Sequence, residues 1–369
     1  MNQIIYQNYP KANYLKKEKR IINTITKVLN SGNYILDSET KKFEEEFAEY
    51  NNCKYGIGVG NGTDALTLSL RSIKIADSDE IITVANTAAA TISAIVQSGA
   101  KPIYVDINEK SFNINIDLIE KNITNRTKAI VIVHLFGNPV NPEPIKYLAK
   151  KYKLNVIEDC AQAHGAMYNG KKVGSFFDVS AFSFYPTKNL GCYGDAGIIL
   201  TDKKSSEKKI KALRQYGWED NEKYCFQHGF NSRIDEIQSS ILRVKLNYLD
   251  KENEKRNKIA SIYNEYFSGN KKIIIPTSER KAFHVYHQYV LKLKVDRKEF
   301  MKRLLEKGIS TSIHYPIPLH KQQAYKINKN LPATEKISKQ IVSLPMYPEL
   351  NGNQIKYICS NIIKVLSEL

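Results

Sequence analysis

The stretch from Ala129 to Ala166, AIVIVHLFGNPVNPEPIKYLAKKYKLNVIEDCAQAHGA, contains two short apolar runs on either side of an amphipathic segment. The runs, Ala129–Leu135 and Leu154–Ile157, are rich in β-branched residues and predict buried strands. Between them, Pro142–Tyr152 has the apolar spacing of a helix. Because consecutive parallel strands need a crossover connection, usually a helix, the stretch predicts one strand–helix–strand unit.

The same alternation continues through the first two thirds of the chain. Further apolar runs predict five more strands, at Tyr55–Val59, Glu80–Ala85, Pro102–Val105, Val179–Phe184 and Gly197–Leu200. The amphipathic segments between them include Gly62–Lys74 and Thr87–Ser98. Seven strands interleaved with helices predict the α/β class, with a mainly parallel seven-stranded sheet that is covered on both faces.

The pattern changes after a long helix that the apolar spacing predicts over Arg233–Phe267. Shorter stretches of both kinds, together with a proline-rich loop at residues 315–318, predict a smaller α/β domain. The strand-like stretches are Lys272–Ile275 and Tyr286–Lys294, and the helix-like stretches are Lys298–Lys307 and Asn351–Leu366. We therefore expect a large domain over residues 1–250 and a small C-terminal domain over residues 251–369.

The composition excludes several classes of protein. With 369 residues, 42% of them hydrophobic and 10% aromatic, the chain can bury a full core, which excludes a largely disordered protein. The longest apolar run, residues 129–136, is shorter than the roughly 20 residues of a membrane-spanning helix, and the N-terminal segment has no secretory-signal pattern. The five cysteines are scattered without CxxC spacing, so we expect neither disulfides nor a zinc cluster, and a cytoplasmic location.

The formal net charge is +17, which could attract nucleic acid, an anionic membrane or a phosphorylated small molecule. The lysines are spread along the chain and form no basic tract. This distribution favours a solvated basic surface, or the attraction of a phosphorylated substrate, over a nucleic-acid partner.

Side chains that follow different strands are candidates for chemistry, because ligands of open α/β sheets bind beyond the carboxyl ends of the strands. Gly60–Asp64, GNGTD, opens a helix after the first strand and could bind an anion, although a plain turn is the simpler interpretation of that segment alone. Asp159 ends another strand. Its carboxyl could be a metal ligand, a general base, a buried cap or the counter-ion of a protonated ring nitrogen.

Lys188 follows a third strand, on a loop bounded by Pro186 and Gly191. A lysine held in such a loop and partly desolvated would have the lowered pKa that Schiff-base chemistry requires, whereas a lone lysine is usually solvated. A phosphate cradle, a ring-nitrogen carboxylate and an amine at one edge of a sheet are together the parts needed to hold pyridoxal phosphate (PLP).

Six motifs resemble, over almost the whole chain, the PLP-dependent nucleotide-sugar aminotransferases of the aspartate-aminotransferase-like fold. They are GNGTDAL (60–66), EDCAQAHGA (158–166), SFYPTKNLG (183–191), GDAG (194–197), NSRIDEIQ (231–238) and HYPIPLH (314–320). The resemblance implies fold type I of the PLP-dependent enzymes, with PLP as the cofactor.

The resemblance also implies roles for individual residues. Lys188 would form the Schiff base with PLP and later move a proton between the cofactor and the substrate. Asp159 would pair with the protonated ring nitrogen, which should lower the pKa of its carboxyl. Gln162 would bind the phenolic oxygen of the ring. The residues expected at the phosphate are Gly62, Thr63 and Ser183.

Asn231 would reach the phosphate bound by the neighbouring subunit, so the resemblance implies a homodimer with shared active sites. The residues expected on the substrate side are His164, Tyr185, Tyr315 and His320. No metal site is expected, because His134 and His228 have no partner at ligand spacing.

The loop at residues 86–91 departs from the family pattern. Many members have an aromatic residue where this chain has Ala88, and a small residue there is similar to the subgroup that aminates C3 of dTDP-linked 3-keto-6-deoxyhexoses. The segment at residues 284–289, HVYHQY, is similar to that subgroup as well. A neutral replacement, with the ring packed by another residue, is the alternative interpretation.

The resemblance implies transfer of an amino group from L-glutamate to a keto group, at C3, of a dTDP-linked keto-6-deoxyhexose, for deoxyamino sugars of a surface polysaccharide. The alternative is C4 amination of a dTDP-, UDP- or GDP-linked 4-keto-6-deoxyhexose. Relatives that dehydrate or deoxygenate sugars have histidine at the Schiff-base position, so Lys188 argues against that reaction. A regulator without turnover and a nucleic-acid binder are the weaker hypotheses.

Overall fold

The computed structural model describes residues 4–219 and 224–369. Thirteen strands are found in these ranges. They are β1 (Tyr55–Val59), β2 (Glu80–Val84), β3 (Lys101–Val105), β4 (Thr127–Val133), β5 (Asn155–Asp159), β6 (Met167–Tyr168), β7 (Lys171–Lys172), β8 (Val179–Ser183), β9 (Gly197–Thr201), β10 (Ile273–Ile274), β11 (Ala282–Phe283), β12 (Tyr289–Leu293) and β13 (Ile341–Leu344).

The described ranges also contain twelve α-helices. They are α1 (Pro10–Leu15), α2 (Glu18–Ser31), α3 (Ser38–Tyr50), α4 (Gly62–Ser72), α5 (Ala89–Gln97), α6 (Pro142–Tyr152), α7 (Lys204–Leu213), α8 (Glu236–Leu246), α9 (Leu249–Phe267), α10 (Arg297–Glu306), α11 (Pro332–Gln340) and α12 (Gly352–Glu368). Among these residues, none of the helices is both long enough and apolar enough to cross a membrane.

Seven strands form the central sheet, in the order β1-β9-β8-β5-β4-β2-β3. The pairs from β8 to β3 are parallel, and β9 runs antiparallel to both of its neighbours. All seven strands predicted from the apolar runs are present, with ends that differ by no more than two residues. The predicted α/β class and mainly parallel sheet are therefore confirmed.

Alternate residues of the central strands are buried on opposite faces of the sheet, as the two-residue period of a strand requires. In β4, Ala129 and Val131 pack with residues of α4 and α5. Ile130 and Ile132 pack with residues of α6 on the other face. Burial on both faces explains why these strands are continuous apolar runs in the sequence.

The prediction of one helix over Arg233–Phe267 is wrong, because α8 ends at Leu246 and α9 begins at Leu249. At the break, the Asn247 side chain donates to the carbonyl of Arg243, 2.9 Å away. The two helices also pack on different partners, α8 on α2 and α3 and α9 on α12. The apolar spacing continues across the break because each helix buries one face, and it therefore conceals the change of direction.

A second hydrophobic core lies in the C-terminal part of the chain. It is built around the three-stranded sheet β10-β12-β13 and the helices α9, α10 and α12. Ile5, from the N-terminal segment, also belongs to this core. The division after residue 250 stays a prediction, and the N-terminal segment packs with the later part of the chain.

Candidate active site

A cavity of about 590 Å³ lies at the carboxyl ends of β1, β2, β4, β5 and β8. The parallel strands explain its position, because their carboxyl ends and the following loops meet at one edge of the sheet. Its lining residues are Asn61, Gly62, Thr63, Asp64, Leu66, Thr87, Ala88, Ala90, Gln97, Val133, Asp159, Ala161, Gln162, Ser183, Tyr185, Lys188 and Asp195. The structure thus brings together seven of the predicted site residues.

The turn after β1 places the N-terminus of α4 against the end of β8. The Asn61 side chain caps the helix by accepting from the Asp64 N–H at 2.9 Å. A Cβ atom at Gly62 would lie 2.5 Å from Ser183 Cβ, so only glycine permits this close approach. The free N–H groups of a helix N-terminus beside a serine hydroxyl form a site that suits a phosphate.

Replacing Gly62 with alanine is expected to raise the Kd for PLP about tenfold to a hundredfold, because the overlap with Ser183 costs about 1–3 kcal/mol. Fluorescence titration of the protein with PLP measures this change. Gly352→Ala is the matched control, because Gly352 is also the first residue of its helix and has nothing within 4 Å of its Cβ position. Equal affinities for both variants would contradict the predicted cradle.

Asp159 ends β5 as a buried carboxyl with two hydrogen-bond donors. Its Oδ2 accepts from the Thr91 hydroxyl at 2.8 Å, and its Oδ1 accepts from the Ala161 N–H at 3.2 Å. Burial raises the pKa of this carboxyl, while the two hydrogen bonds and the charge of Lys188 act in the opposite direction. The expectation of a lowered pKa assumes a cationic ring beside Asp159. Among the protein's own residues desolvation dominates, so the pKa of this carboxyl is raised instead.

Lys188 lies on the loop after β8, and its backbone N–H donates to the Tyr185 carbonyl at 2.8 Å. Its ammonium makes no hydrogen bond or ion pair with residues 4–219 or 224–369. Desolvation by the cavity wall lowers the pKa of Lys188 to about 8, against the opposing charge of Asp159. An unpaired amine with a lowered pKa is suited to attack a carbonyl and to carry a proton.

Gln162 connects the floor of the cavity to two loops. Its Oε1 accepts from the Phe136 N–H at 2.7 Å, and its Nε2 donates to the Tyr315 hydroxyl at 3.0 Å. Burial raises the pKa of Tyr315 to about 12, so its hydroxyl stays protonated at neutral pH. Tyr185, with 53% of its surface exposed, stands at the mouth of the cavity.

Three residues expected on the substrate side, His164, Tyr315 and His320, lie outside the cavity lining. His164 is fully buried beside the rings of Phe47, Phe182 and Phe184, and desolvation lowers its pKa to about 3. His320 is also fully buried, with its Nε2 3.1 Å from Glu335 Oε1. These contacts enclose both imidazoles within the fold, and their role toward the substrate stays a prediction.

Asn231 is exposed and does not line the cavity of its own chain. The next residue, Ser232, donates to Asp64 Oδ2 at 2.6 Å and accepts from the Gly60 N–H at 3.0 Å. The segment that carries Asn231 is therefore anchored to the turn that opens α4. This placement leaves the Asn231 side chain accessible to a second subunit.

Thr91 is a site residue that the sequence interpretation missed. Its hydroxyl lies 2.9 Å from the Thr87 hydroxyl and also donates to Asp159. The signal was present in the loop at residues 86–91, where two threonines stand four residues apart and therefore on one side of a helical turn. Only the fold shows that this side meets the end of β5.

His134, Glu158 and Cys160 form a buried group whose potential metal ligands lie within 4.8 Å of one another. The ligand atoms of His134 and Glu158 already have protein partners. His134 Nδ1 accepts from the Val140 N–H at 3.0 Å, its Nε2 lies 3.2 Å from Glu158, and the Glu158 oxygens also accept from backbone N–H groups of residues 174, 176 and 177. The group therefore connects the ends of β4 and β5 to the segment at residues 174–177. The expectation of no metal site stays a prediction.

The cavity residues fit a phosphorylated pyridine aldehyde. The cradle at Gly62 suits the phosphate, the buried Asp159 suits a protonated ring nitrogen, and the free amine of Lys188 suits a carbonyl carbon. All three belong to one cavity.

Comparisons with known proteins agree with this fit. The model of the DegT/DnrJ/EryC1/StrS aminotransferase family matches residues 15–363. The dTDP-3-amino-3,6-dideoxy-alpha-D-galactopyranose transaminase of Aneurinibacillus thermoaerophilus is 45% identical over 346 residues, which cover 93% of this chain and 94% of that protein. The UDP-N-acetyl-3-dehydro-alpha-D-glucosamine 3-aminotransferase of Acidithiobacillus ferrooxidans is 38% identical, over 96% of each chain.

Among solved structures, S. venezuelae DesV in complex with a ketimine intermediate covers 100% of both chains, with a TM-score of 0.97 and 35% sequence identity. Fold, cavity residues and sequence thus agree. The chain therefore belongs to the DegT/DnrJ/EryC1/StrS aminotransferase family and is, as its sequence predicts, a PLP-dependent aminotransferase.

Proposed function

We propose that the chain transfers the amino group of L-glutamate to C3 of a dTDP-linked keto-6-deoxyhexose. The observation that carries the amino transfer is the unpaired amine of Lys188 in the same cavity as the buried carboxyl of Asp159. The substrate class rests on the two relatives described above. The name of the first contains a dTDP-linked 3-amino sugar, and the name of the second contains a UDP-linked 3-keto sugar.

Each cavity residue has a role in this reaction. The N-terminus of α4 and Ser183 bind the phosphate and fix one end of the cofactor. Asp159 would hold a proton on the ring nitrogen, and the Gln162 amide would donate to the phenolic oxygen. PLP, when bound, supplies an electron sink for the carbanion that forms when a C–H bond loses its proton.

Lys188 carries the proton. With a pKa of about 8, roughly a tenth of the free side chain is neutral at pH 7 and able to accept a proton, far more than for an ordinary lysine. The same amine can return the proton to a neighbouring carbon, because its long side chain has no competing partner among the described residues. Tyr185, at the mouth of the cavity, and Tyr315, whose hydroxyl accepts from Gln162, are the proposed contacts to the sugar.

We propose a homodimer in the cytoplasm, in which Asn231 of one subunit completes the phosphate site of the other. The exposed position of Asn231, anchored through Ser232 to the α4 turn, supports this arrangement. Sedimentation of the purified protein tests it, because the mass of a single chain, 42.2 kDa, would contradict a dimer.

The substrate is tested with a panel of nucleotide-linked keto sugars and L-glutamate, with release of 2-oxoglutarate as the measurement. We expect kcat/KM for a dTDP-linked 3-keto-6-deoxyhexose to exceed that for the 4-keto isomer at least about a hundredfold. A site that hydrogen-bonds a substrate hydroxyl discriminates at least that strongly against an isomer that lacks the hydroxyl at that position. Preference for a 4-keto sugar would assign C4 amination instead, and preference for a UDP-linked sugar would reassign the nucleotide.

A further inference from the structure

The loop that carries Lys188 is held by a residue from the far N-terminal end of the chain. The Asn8 side chain donates from Nδ2 to the carbonyl of Thr187, 3.0 Å away. Thr187 immediately precedes Lys188, so this bond acts on the backbone that sets the position of the lysine. Asn8 is half-buried, with Lys188 in the lining of the same small crevice.

Asn8 belongs to a segment that is bound to the second core. We call residues 5–13 the N-terminal strap. The Ile5 N–H donates to the Gly308 carbonyl at 2.8 Å, and the Gln7 carbonyl accepts from the Met346 N–H at 3.0 Å. The Gln7 side chain also donates to Gln288 Oε1 at 2.6 Å. The strap therefore carries the Asn8 amide from the second core to the lysine loop.

The residue on the other side of Lys188 is anchored as well. The buried side chain of Asn189 donates to Asn253 Oδ1 at 2.9 Å and to the Val285 carbonyl at 3.1 Å. Its Oδ1 lies 3.2 Å from His287 Nδ1. Both neighbours of Lys188 are thus fixed by elements distant in the sequence, while the described residues leave its ammonium unpaired.

This contrast has a mechanistic consequence. A lysine that must reach two carbons in turn needs a mobile side chain, but its Cα must stay in place. A misplacement of about 1 Å at a reacting group costs about a hundredfold in rate. Anchors on the backbone, rather than on the amine, satisfy both requirements.

We propose that Asn8 is a positioning residue for Lys188, and that the N-terminal strap holds the lysine loop in its reactive place. The bond to the Thr187 carbonyl restrains the backbone just before Lys188, and the contacts of Asn189 restrain it just after. This inference rests on the proposed role of Lys188, and its test separates the two.

The test compares Asn8→Ala with a matched control from the same strap, Asn13→Ala. Asn13 is also a half-buried asparagine and lines the same crevice, but its Nδ2 donates to Glu252 at 2.9 Å and to Glu349 at 3.0 Å rather than to the backbone beside Lys188. Asn8→Asp is a second variant that keeps the size of the side chain. A carboxylate only accepts hydrogen bonds, so it cannot donate to the Thr187 carbonyl.

The first measurement is hydrogen exchange in the protein without PLP. We expect the Lys188 amide, which donates to the Tyr185 carbonyl, to exchange about tenfold faster in both Asn8 variants and at the wild-type rate in Asn13→Ala. The second measurement is the single-turnover rate with L-glutamate in the PLP-loaded enzyme. That rate should fall about tenfold in the Asn8 variants, with the glutamate concentration at half-maximal rate unchanged.

Wild-type exchange and turnover in both Asn8 variants would overturn the inference. An equal loss in Asn13→Ala would overturn it too, because the strap would then matter only for its general attachment. If Lys188→Ala still formed a covalent link with PLP, the proposed role of Lys188 would fail. The exchange measurement without PLP would still decide whether Asn8 restrains the loop.

Discussion

Replacing Lys188 with alanine is expected to lower kcat/KM for transamination about 10⁴-fold or more. The variant loses both the amine that links the cofactor and the group that moves the proton, and proton transfer alone contributes about 10²–10⁴-fold. The phosphate cradle at Gly62 and the Asp159 carboxyl remain in place. PLP should therefore bind to the variant without a covalent link. Borohydride reduction fixes PLP to the lysine of the wild type, so mass spectrometry should find the added mass of PLP on the wild type and not on the variant.

Lys188→Arg separates charge from proton transfer. The guanidinium keeps the positive charge and most of the length, but it does not lose its proton at accessible pH. We expect this variant to be as inactive as the alanine variant, because the lowered pKa of Lys188 would be the property that matters.

Lys172→Ala is the matched lysine control. Burial also lowers the pKa of Lys172, and its ammonium donates to the Tyr50 carbonyl outside the cavity. We expect activity close to that of the wild type. Release of 2-oxoglutarate in a single turnover measures all three variants, and more than about 1% of the wild-type rate in Lys188→Ala would contradict the role of Lys188.

The central sheet could be predicted because its strands are buried on both faces. A doubly buried strand such as β4 is a continuous run of apolar, β-branched residues, and only a few folds accommodate seven such runs with helices between them. The break between α8 and α9 could not be predicted in this way. Two successive helices that each bury one face show the same periodicity as one long helix.

The motifs locate the cavity but do not show which way each side chain faces. Asp159 and Lys188 follow strands whose carboxyl ends meet in the sheet, so strand order alone brings them to one edge. His164 belongs to the same motif as Asp159, yet Phe47, Phe182 and Phe184 enclose it. Those rings come from one helix and one strand region that the motif does not include.

The contacts that hold the site from outside had little or no pattern in the sequence. Asn8 is one of several polar residues in an N-terminal segment without periodicity, and its bond to Thr187 spans 179 positions. Thr91 had weak support from its spacing with Thr87, but its acceptor is 68 positions away. Such contacts follow from tertiary packing and are accessible only once the fold is known.

Replacing Asp159 with asparagine is expected to lower kcat about 10²–10³-fold, the usual cost of removing one preorganised electrostatic group from an active site. The amide has nearly the shape of the carboxyl. It can still accept from the Ala161 N–H and can donate to the Thr91 hydroxyl, which accepts as well as donates. The loss should thus reflect the missing charge, without which the ring nitrogen no longer holds its proton.

Stability provides the internal control for this variant. Burial raises the pKa of Asp159 in the folded protein above its unfolded value, so the folded state holds the proton more tightly than the unfolded state. Stability from this group is therefore present at low pH and is lost as the pH rises through the raised pKa, where a desolvated charge must form. At neutral pH the protein without PLP should have an equal or higher melting temperature as Asp159→Asn than as wild type.

The combination of lower kcat and undiminished melting temperature is what distinguishes a functional carboxylate from a structural one. Thr91→Val supplies the intermediate case, because it removes one hydrogen bond to the charged form and keeps the charge, and about 1.5–3 kcal/mol for such a bond predicts a loss of roughly tenfold to a hundredfold. Stopped-flow absorbance of the bound PLP after mixing with L-glutamate gives the rates. A lower melting temperature in Asp159→Asn with an unchanged rate would show that the carboxyl only holds the loop after β5, and the ring-nitrogen role would have to pass to another acid.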